Sequence, residues 1–164
     1  MTSLEKNQNY NLLTKQIEVL LDAKLPLLTN LSNSVAAINQ SFSQVSWVGF
    51  YLRKNNYLYL GPFQGNVACT KIEIGKGVCG TSLLKKETII VENVNQFPGH
   101  IACDVESKSE IVIPIIKNNY VYGVLDLDSK EIGTFDETDR IWLEKFCDSL
   151  KKIIIEEKIK NLTE

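Results

Sequence analysis

Apolar residues at helical spacing mark both ends of the chain. In the first segment they are Leu12, Leu13, Ile17, Leu20 and Leu21, and after Pro26 they are Leu31, Val35 and Ile38. In the last segment they are Ile141, Phe146, Leu150, Ile153 and Ile154. This spacing predicts two N-terminal helices and one C-terminal helix. Thr134 and Glu137 have the spacing of a capping box, which predicts where the last helix begins.

The middle of the chain changes to the period of β-strands. Aromatic and β-branched runs predict strands at 45–52, 57–60, 71–74, 87–91, 111–116 and 120–127. Asn55-Asn56 and Asn118-Asn119 are expected hairpin turns, and 61–65, rich in Gly and Pro, is an expected loop. A short helix is expected at 78–86. The long polar stretch 93–109 predicts an ordered loop of the kind that often carries function.

Hairpins between neighbouring strands favour an α+β fold with a mostly antiparallel central sheet. The terminal helices are expected to pack on one face of that sheet. The opposite face would then carry a site beneath the long loops. With 164 residues, the chain is expected to form one domain, 1–164.

Composition narrows the function classes. The net charge of −2 gives no reason to expect binding to nucleic acid or to an anionic membrane. The N-terminus lacks a signal-peptide core, and no apolar run approaches the ~20 residues of a membrane span. We therefore expect a cytoplasmic protein. Its four cysteines are then expected to be reactive, metal-binding or buried rather than a disulfide framework.

Acidic residues alternate with leucines on one predicted strand. Asp126 and Asp128 share the face opposite to Leu125 and Leu127, and Glu110 begins the strand expected to pair with this one. If the three carboxyls converge, their repulsion should raise at least one pKa and provide an acid near neutral pH. The alternative is an ordinary solvated polar face.

Two aromatic residues flank a glycine on another predicted strand. Trp47, Gly49 and Tyr51 share a face, while Val48 and Phe50 point the other way. The pair would form the floor of a small pocket, or would simply pack under a loop.

Three cysteines lie in polar or glycine-rich segments: Cys69, Cys79 and Cys103. Cys147, inside the last helix, is expected in the core. A zinc site built from the three cysteines and His100 is an alternative, but their spacing lacks the close pairs of structural zinc sites, so no metal is expected. Residues 75–80 open the short helix and would offer backbone N–H groups to an anion.

Five stretches together resemble the free methionine-(R)-sulfoxide reductases, small proteins with the GAF fold. They are WVGFYL (47–52), LGPFQG (60–65), ACTKIEIGKGVCG (68–80), FPGHIACDVESKSEIVIP (97–114) and GVLDLDS (123–129). The resemblance covers about residues 30–150. It implies a GAF-like fold and the thiol-dependent reduction of free methionine (R)-sulfoxide to methionine.

The resemblance also implies roles. Cys103 would be the nucleophile, Cys69 the main resolving cysteine, and Cys79 an alternative or second partner. The residues that would bind substrate are Trp47, Tyr51, Glu110, Asp126 and Asp128, with Glu110 or Asp128 donating the proton. The implied reductant is thioredoxin, which draws on NADPH through thioredoxin reductase, and no bound cofactor is expected. A homodimer is compatible with the apolar terminal helices.

Two other functional interpretations are compatible with the same residues. A GAF-type sensory module would bind a small ligand without chemistry, but it leaves the three cysteines unexplained. A redox sensor or thiol peroxidase would share the disulfide chemistry but consume peroxide instead.

Overall fold

An antiparallel sheet forms the centre of the protein in the computed structural model, which describes residues 2–101, 103–154, 158–159 and 162. Within these residues the strands are β1 (Trp47–Lys54), β2 (Tyr57–Gln64), β3 (Lys71–Glu73), β4 (Ile89–Val91), β5 (Ser109–Lys117) and β6 (Tyr120–Ser129). Their order across the sheet is β3-β2-β1-β6-β5-β4, and every neighbouring pair is antiparallel. The antiparallel sheet predicted from the hairpins is therefore confirmed.

Helices cover one face of the sheet. They are α1 (Ser3–Leu20), α2 (Leu27–Ser41) and α4 (Glu137–Leu150). The side chains that build this core include Leu13, Ile17, Leu31, Val35 and Ile38 from the helices and Val48, Phe50, Ile113, Leu125 and Leu127 from the sheet. The helices pack on one face as expected. Among the described residues, none of the helices combines the length and the apolar character needed to cross a membrane.

The second face of the sheet is also covered. Helix α3 (Gly77–Lys85) and the loops around it lie over this face. A separate apolar cluster fills the space beneath them, with Trp47, Tyr51, Leu83, Val112 and Val124 among its members. Strands β1, β5 and β6 are consequently buried on both faces. Polar side chains that point to this second face are thereby placed in a dry environment.

The two hairpin turns form where asparagines predicted them. Asn55, Asn118 and Asn119 have positive φ angles of 55°, 52° and 62°. Asparagine tolerates this left-handed conformation better than most residues because its short side chain bonds locally. The turn pairs Ile116 with Val121, and a one-residue shift then pairs Ile115 with Gly123, so the turn and this irregularity together decide which residues of β5 and β6 face each other.

The expected loop at 61–65 is wrong, because β2 continues to Gln64. The pairing of β1 with β2 shifts register, so that Gly49 opposes Phe63 and Tyr51 opposes Leu60. Two residues, Gly61 and Pro62, therefore lie opposite one residue of β1. A bulge of this kind accommodates a proline, which has no N–H to donate to the ladder.

The expected capping box at Thr134 is also wrong. Helix α4 begins after Asp136, whose side chain accepts from the backbone N–H of Thr138, and Asp139 completes the box. The Thr134 hydroxyl instead donates to Ser129. Ile141 consequently faces outward and is exposed, while Phe146 and Leu150 are buried.

A buried ion pair fastens α1 to the start of α4. The Lys6 ammonium donates to Asp139 Oδ2 at 2.5 Å, to Asp136 Oδ2 at 2.8 Å and to the Thr134 carbonyl at 2.9 Å. The Tyr10 hydroxyl donates to the other oxygen of Asp139 at 2.8 Å. Lys6 and Asp139 are both buried, so each depends on the other to offset its lost hydration.

We expect Lys6→Ala to lower the free energy of unfolding by about 3–5 kcal/mol, because it leaves the buried Asp139 without its cation. Urea denaturation measures the change. Lys15→Ala, an exposed lysine on the same helix, is the control and should shift the unfolding free energy little. Equal effects of the two substitutions would mean that the ion pair does not stabilise α1.

Candidate active site

A disulfide joins two loops at the edge of the second face. Cys69 lies in the loop between β2 and β3, and Cys103 lies in the loop that precedes β5. Their Cα atoms are 5.1 Å apart, within the ~7 Å that a disulfide requires. Both cysteines are half-buried, so part of each residue faces solvent. These loops lie 34 residues apart along the chain and meet only because the fold brings them together.

Three carboxyls meet beside this disulfide, on the same face of β5 and β6. Glu110 lies directly opposite Asp128, and Asp126 lies opposite Val112, two positions further along each strand. Glu110 and Asp126 are each only 6% exposed. The alternative of a solvated polar face is therefore wrong, since α3 and the loops cover these side chains.

Burial and mutual repulsion make the three carboxyls weak acids. Burial raises the pKa of Glu110 well above its usual range, and the neighbouring Asp126 and Asp128 raise it further. The pKa of Asp126 is raised in the same way, first by burial and then by Asp128. Burial also raises the pKa of Asp128, to about 7. The site therefore holds carboxylic acids that keep protons near neutral pH.

Cys79 joins the same cluster from the first turn of α3. Its thiol donates to Asp126 Oδ2 at 3.3 Å, and it is buried. Helix α3 approaches the sheet closely because Gly80 has no side chain: a Cβ there would lie 2.4 Å from the Glu73 carbonyl oxygen. Burial and the three nearby carboxyls raise the pKa of the Cys79 thiol well above its usual range. Cys79 is thus a neutral thiol here.

Metal-ligand atoms are available in this cluster. One atom each from Cys79, Glu110 and Asp126 lie within 4.8 Å of one another. A cation there would have to displace the protons that burial keeps on these groups. The alternative zinc set drawn from the sequence, with Cys69 and Cys103 among its ligands, is not available in this state, because these two sulfurs are bonded to each other.

The expected aromatic pair lies beneath the disulfide loop. The Trp47 indole donates to the Asn66 carbonyl at 3.0 Å, and the Tyr51 hydroxyl donates to the Cys69 carbonyl at 2.9 Å. The ring centroids of the two residues are 6.0 Å apart. Gly49 between them leaves room for the indole, since a Cβ there would lie 2.4 Å from the Trp47 ring. The pair both packs under the loop and lines a small cavity.

The cavity over the carboxyls is narrow, with about 30 Å³ of free volume. Its lining includes Cys79, His100, Cys103, Glu110, Asp126 and Asp128. A neighbouring space of about 20 Å³ is lined by Trp47, Tyr51, Cys103, Asp126 and Asp128, among others. Cys103 borders both spaces. Together they are far smaller than the ~300–1,000 Å³ of ordinary ligand pockets.

A larger groove lies elsewhere, between α2 and β2, with about 510 Å³ of free volume. Its described lining is mostly apolar and contains no cysteine or acidic residue. We therefore place the candidate active site at the disulfide and the carboxyls, because their side chains can react, although the cavity there is small.

Two contacts of this site were not predicted from the sequence. His100 Nε2 lies 3.7 Å from Glu110 Oε2, and burial lowers the pKa of the imidazole. Asn66 Nδ2 donates to Asp104 Oδ2 at 3.2 Å, which ties the two cysteine loops together. For the contact between Asn66 and Asp104, the sequence offers one indication, namely that Asp104 directly follows Cys103.

The first turn of α3 lies beside the narrow cavity, at the place where the sequence predicts an anion site. Gly77, Val78 and Cys79 line the narrow cavity. The first N–H groups of a helix have no partner within the helix, so this end of α3 offers donors beside the carboxyls.

Comparisons with known proteins agree with this architecture. A family model described as GAF domain matches residues 27–154. The chain is 43% identical to the free methionine-R-sulfoxide reductase of Saccharomyces cerevisiae, covering 92% of this chain and 88% of that one. It is 38% identical to the enzyme of the same name from Escherichia coli, covering 92% of each.

A solved structure is similar as well. It is the free methionine-R-sulfoxide reductase of Neisseria meningitidis in complex with its substrate, with 37% sequence identity and a TM-score of 0.76. The match covers 95% of this chain and 88% of that one. The fold and the sequence likeness therefore extend over nearly all of both chains.

The raised carboxyl pKa values predict that stability falls as pH rises. Between the unfolded pKa near 4 and the folded value of about 7 for Asp128, the native state binds more protons than the unfolded state. The free energy of unfolding should therefore decrease by up to ~1.4 kcal/mol per pH unit for each such group.

Urea denaturation between pH 5 and pH 8 tests this, with Asp128→Asn as the informative variant. The variant should lose less stability over that range than the unsubstituted protein does. Glu18→Gln, an exposed acid on α1, is the control and should keep the original pH dependence. If Asp128→Asn shows the same dependence of unfolding free energy on pH as the unsubstituted protein, Asp128 is not the group with the raised pKa.

Proposed function

The chain belongs to the GAF domain family, and we propose that it is an oxidoreductase that reduces free methionine-R-sulfoxide to methionine with its own thiols. Two relatives with this named activity are 38% and 43% identical over most of both chains. The observation that carries the proposal is the Cys69–Cys103 disulfide next to a buried cluster of protonated carboxyls. Reduction of a sulfoxide needs these two parts, a thiol pair for electrons and acids for protons.

Cys103 is the proposed nucleophile. It borders both small spaces of the site, whereas Cys69 lines neither of them. In the reduced protein, the Cys103 thiolate attacks the sulfoxide sulfur, because the thiolate and not the thiol is the nucleophile. The sulfoxide oxygen takes up a proton and is transferred to the Cys103 sulfur, so the S–O bond of the substrate breaks. The sulfur–sulfur bond formed by the attack breaks in the same step, methionine leaves with that electron pair, and Cys103 becomes a sulfenic acid.

Protons come from the carboxyl cluster. The sulfoxide oxygen gains protons as its bond to sulfur breaks, and a buried carboxylic acid near its pKa is suited to donate them. Glu110 and Asp128 lie directly opposite each other on the face that Cys103 covers. We assign the proton donation to this pair and the contact with the substrate ammonium to Asp126.

Aromatic side chains complete the binding site. Trp47 and Tyr51 would contact the methyl and sulfoxide groups of the substrate, since they line the space that Cys103 shares with Asp126. A free amino acid also brings an ammonium for the acids and a carboxylate for the N–H groups of α3. A methionine within a peptide lacks both charges and would leave these groups unpaired, so it is rejected.

Recycling follows from the disulfide. The Cys69 thiol attacks the sulfenic sulfur of Cys103, water leaves, and the disulfide forms. Cys79 is a second candidate for this exchange, since it lines the same cavity. Thioredoxin is the proposed reductant, supplied by NADPH through thioredoxin reductase, and no bound cofactor is needed. We place this chemistry in the cytoplasm, where such a reductant is kept reduced, and a homodimer is compatible with it.

A coupled assay tests the function. The protein, thioredoxin, thioredoxin reductase and NADPH are mixed with separate R and S epimers of free methionine sulfoxide. We expect methionine release and NADPH oxidation with the R epimer only. Turnover of hydrogen peroxide in preference to the sulfoxide would indicate a thiol peroxidase instead. Tight ligand binding without turnover of either compound would indicate a sensory module.

Cys103→Ser should abolish methionine release, because a serine hydroxyl cannot accept the oxygen as a sulfenic acid does. The loss should exceed a thousandfold in kcat/KM, about 4 kcal/mol of transition-state stabilisation. Cys147→Ser is the matched control, since Cys147 is buried in the core on the helical side of the sheet. If Cys147→Ser loses activity, the loss should match the fraction of protein that has unfolded. Cys103→Ser should lose activity while it remains folded.

Cys69→Ser should separate chemistry from recycling. We expect about one methionine per enzyme in a single turnover, followed by slow steady-state release under thioredoxin. Rapid-quench measurement of the first turnover, compared with the steady-state rate, reports the two steps. Undiminished steady-state turnover would exclude Cys69 as the main resolving cysteine and would favour Cys79.

A further inference from the structure

Three exposed apolar side chains surround the Cys69–Cys103 disulfide. Val67, two residues before Cys69, is 88% exposed, and Val105, two residues after Cys103, is 89% exposed. Ile101, two residues before Cys103, is 39% exposed. We call Val67, Ile101 and Val105 the apolar collar.

The fold brings the collar together in space. The disulfide holds the two loops with their Cα atoms 5.1 Å apart. The hydrogen bond from Asn66 to Asp104 joins the residues next to Val67 and Val105. Ile101 sits against α3, where its side chain would be 3.3 Å from a Cβ on Gly77. All three collar residues are therefore neighbours of one reactive bond.

Packing within the chain does not account for the two valines. Single exposed apolar residues are ordinary on a protein surface, but a group of them marks a contact surface. Polar residues lie directly beside the two valines, namely Asn66, Asp104 and Glu106. Both valines bury almost none of their surface in the isolated chain, so their apolar area is available to a partner.

We propose that the apolar collar is the docking surface for the protein dithiol that reduces the Cys69–Cys103 disulfide. The inference rests on the proposed function, since it names the surface that the reductant uses. A protein dithiol can present its sulfur to this bond only through a protein–protein contact, and apolar side chains supply the desolvated centre of such a contact. A small thiol needs no such surface.

The proposed thiol–disulfide exchange has two steps. One thiolate of the partner attacks a sulfur of the disulfide, the Cys69–Cys103 bond breaks, and a mixed disulfide forms while the other cysteine leaves as a thiolate and takes up a proton. The second thiol of the partner then attacks the mixed disulfide and releases the remaining cysteine. The partner loses two electrons and two protons and becomes a disulfide, and both cysteines of this chain become thiols.

The test measures reduction of the oxidised protein directly, without any sulfoxide. Reduced thioredoxin is mixed with the oxidised full chain, and the second-order rate constant is followed by thiol titration. The same protein is reduced by dithiothreitol in parallel. We expect the double variant Val67→Asp/Val105→Asp to react with thioredoxin at least tenfold more slowly and with dithiothreitol at an unchanged rate.

Matched controls define the effect. Val19→Asp changes a valine that is 85% exposed on α1, and it should alter neither rate. Val67→Leu/Val105→Leu keeps the apolar area and should keep the thioredoxin rate. An aspartate elsewhere that slows thioredoxin equally would mean that net charge, not the collar, sets the rate.

Three further results would overturn the proposal. The first is an unchanged thioredoxin rate in the double aspartate variant. The second is an equal loss with thioredoxin and dithiothreitol, which would place the effect on the disulfide itself. The third is a dimer of the unsubstituted protein that the double variant dissociates, which would make the collar a contact between copies of this chain. A failure of methionine release alone would sink the proposed function and leave this rate comparison intact.

Discussion

Three carboxyls that share a dry site cannot all be ionised, and this constraint governs the second face of the sheet. Glu110, Asp126 and Asp128 lie together because β5 and β6 pair in one register, and α3 with the loops removes water from them. Placing carboxylates there costs free energy, so the protein holds protons instead. The Cys79 thiol, which donates to Asp126, is kept neutral by the same environment.

The free-energy cost of burying acids on the second face of the sheet is offset by packing on the helical face. Helices α1, α2 and α4 bury a large apolar core, and the ion pair between Lys6 and Asp139 fixes α1 in place. Here a buried carboxylate has a lysine as its partner, whereas the acids of the second face lie beside one another and beside the Cys79 thiol. The sheet thus separates a side that stabilises the fold from a side that stores protons beside reactive sulfur.

Sequence patterns predicted what depends on period and turn chemistry. Alternation predicts Asp126 and Asp128 on one face, but the register that brings Glu110 opposite Asp128 depends on the asparagine turn and on a one-residue shift between Ile115 and Ile116, which no pattern in the sequence predicts. Burial of that face depends on how α3 and distant loops pack, which no local pattern contains. The predicted start of α4 is wrong because Asp136, like Thr134, has an acid three residues on; Asp136 caps the helix and also accepts from Lys6, a contact that local spacing does not contain. The pairing of Cys69 with Cys103 came from family resemblance alone.

The narrowness of the cavity in the disulfide state has a kinetic consequence. With about 30 Å³ free beside Cys103, the oxidised protein has no room for an amino acid. Under the proposed function, the sulfoxide would bind the reduced form and the reductant would act on the oxidised form, so the two would not compete for the same form. Such an enzyme runs by a ping-pong scheme, in which the supply of reducing equivalents sets the ceiling on flux once the oxidised amino acid is abundant.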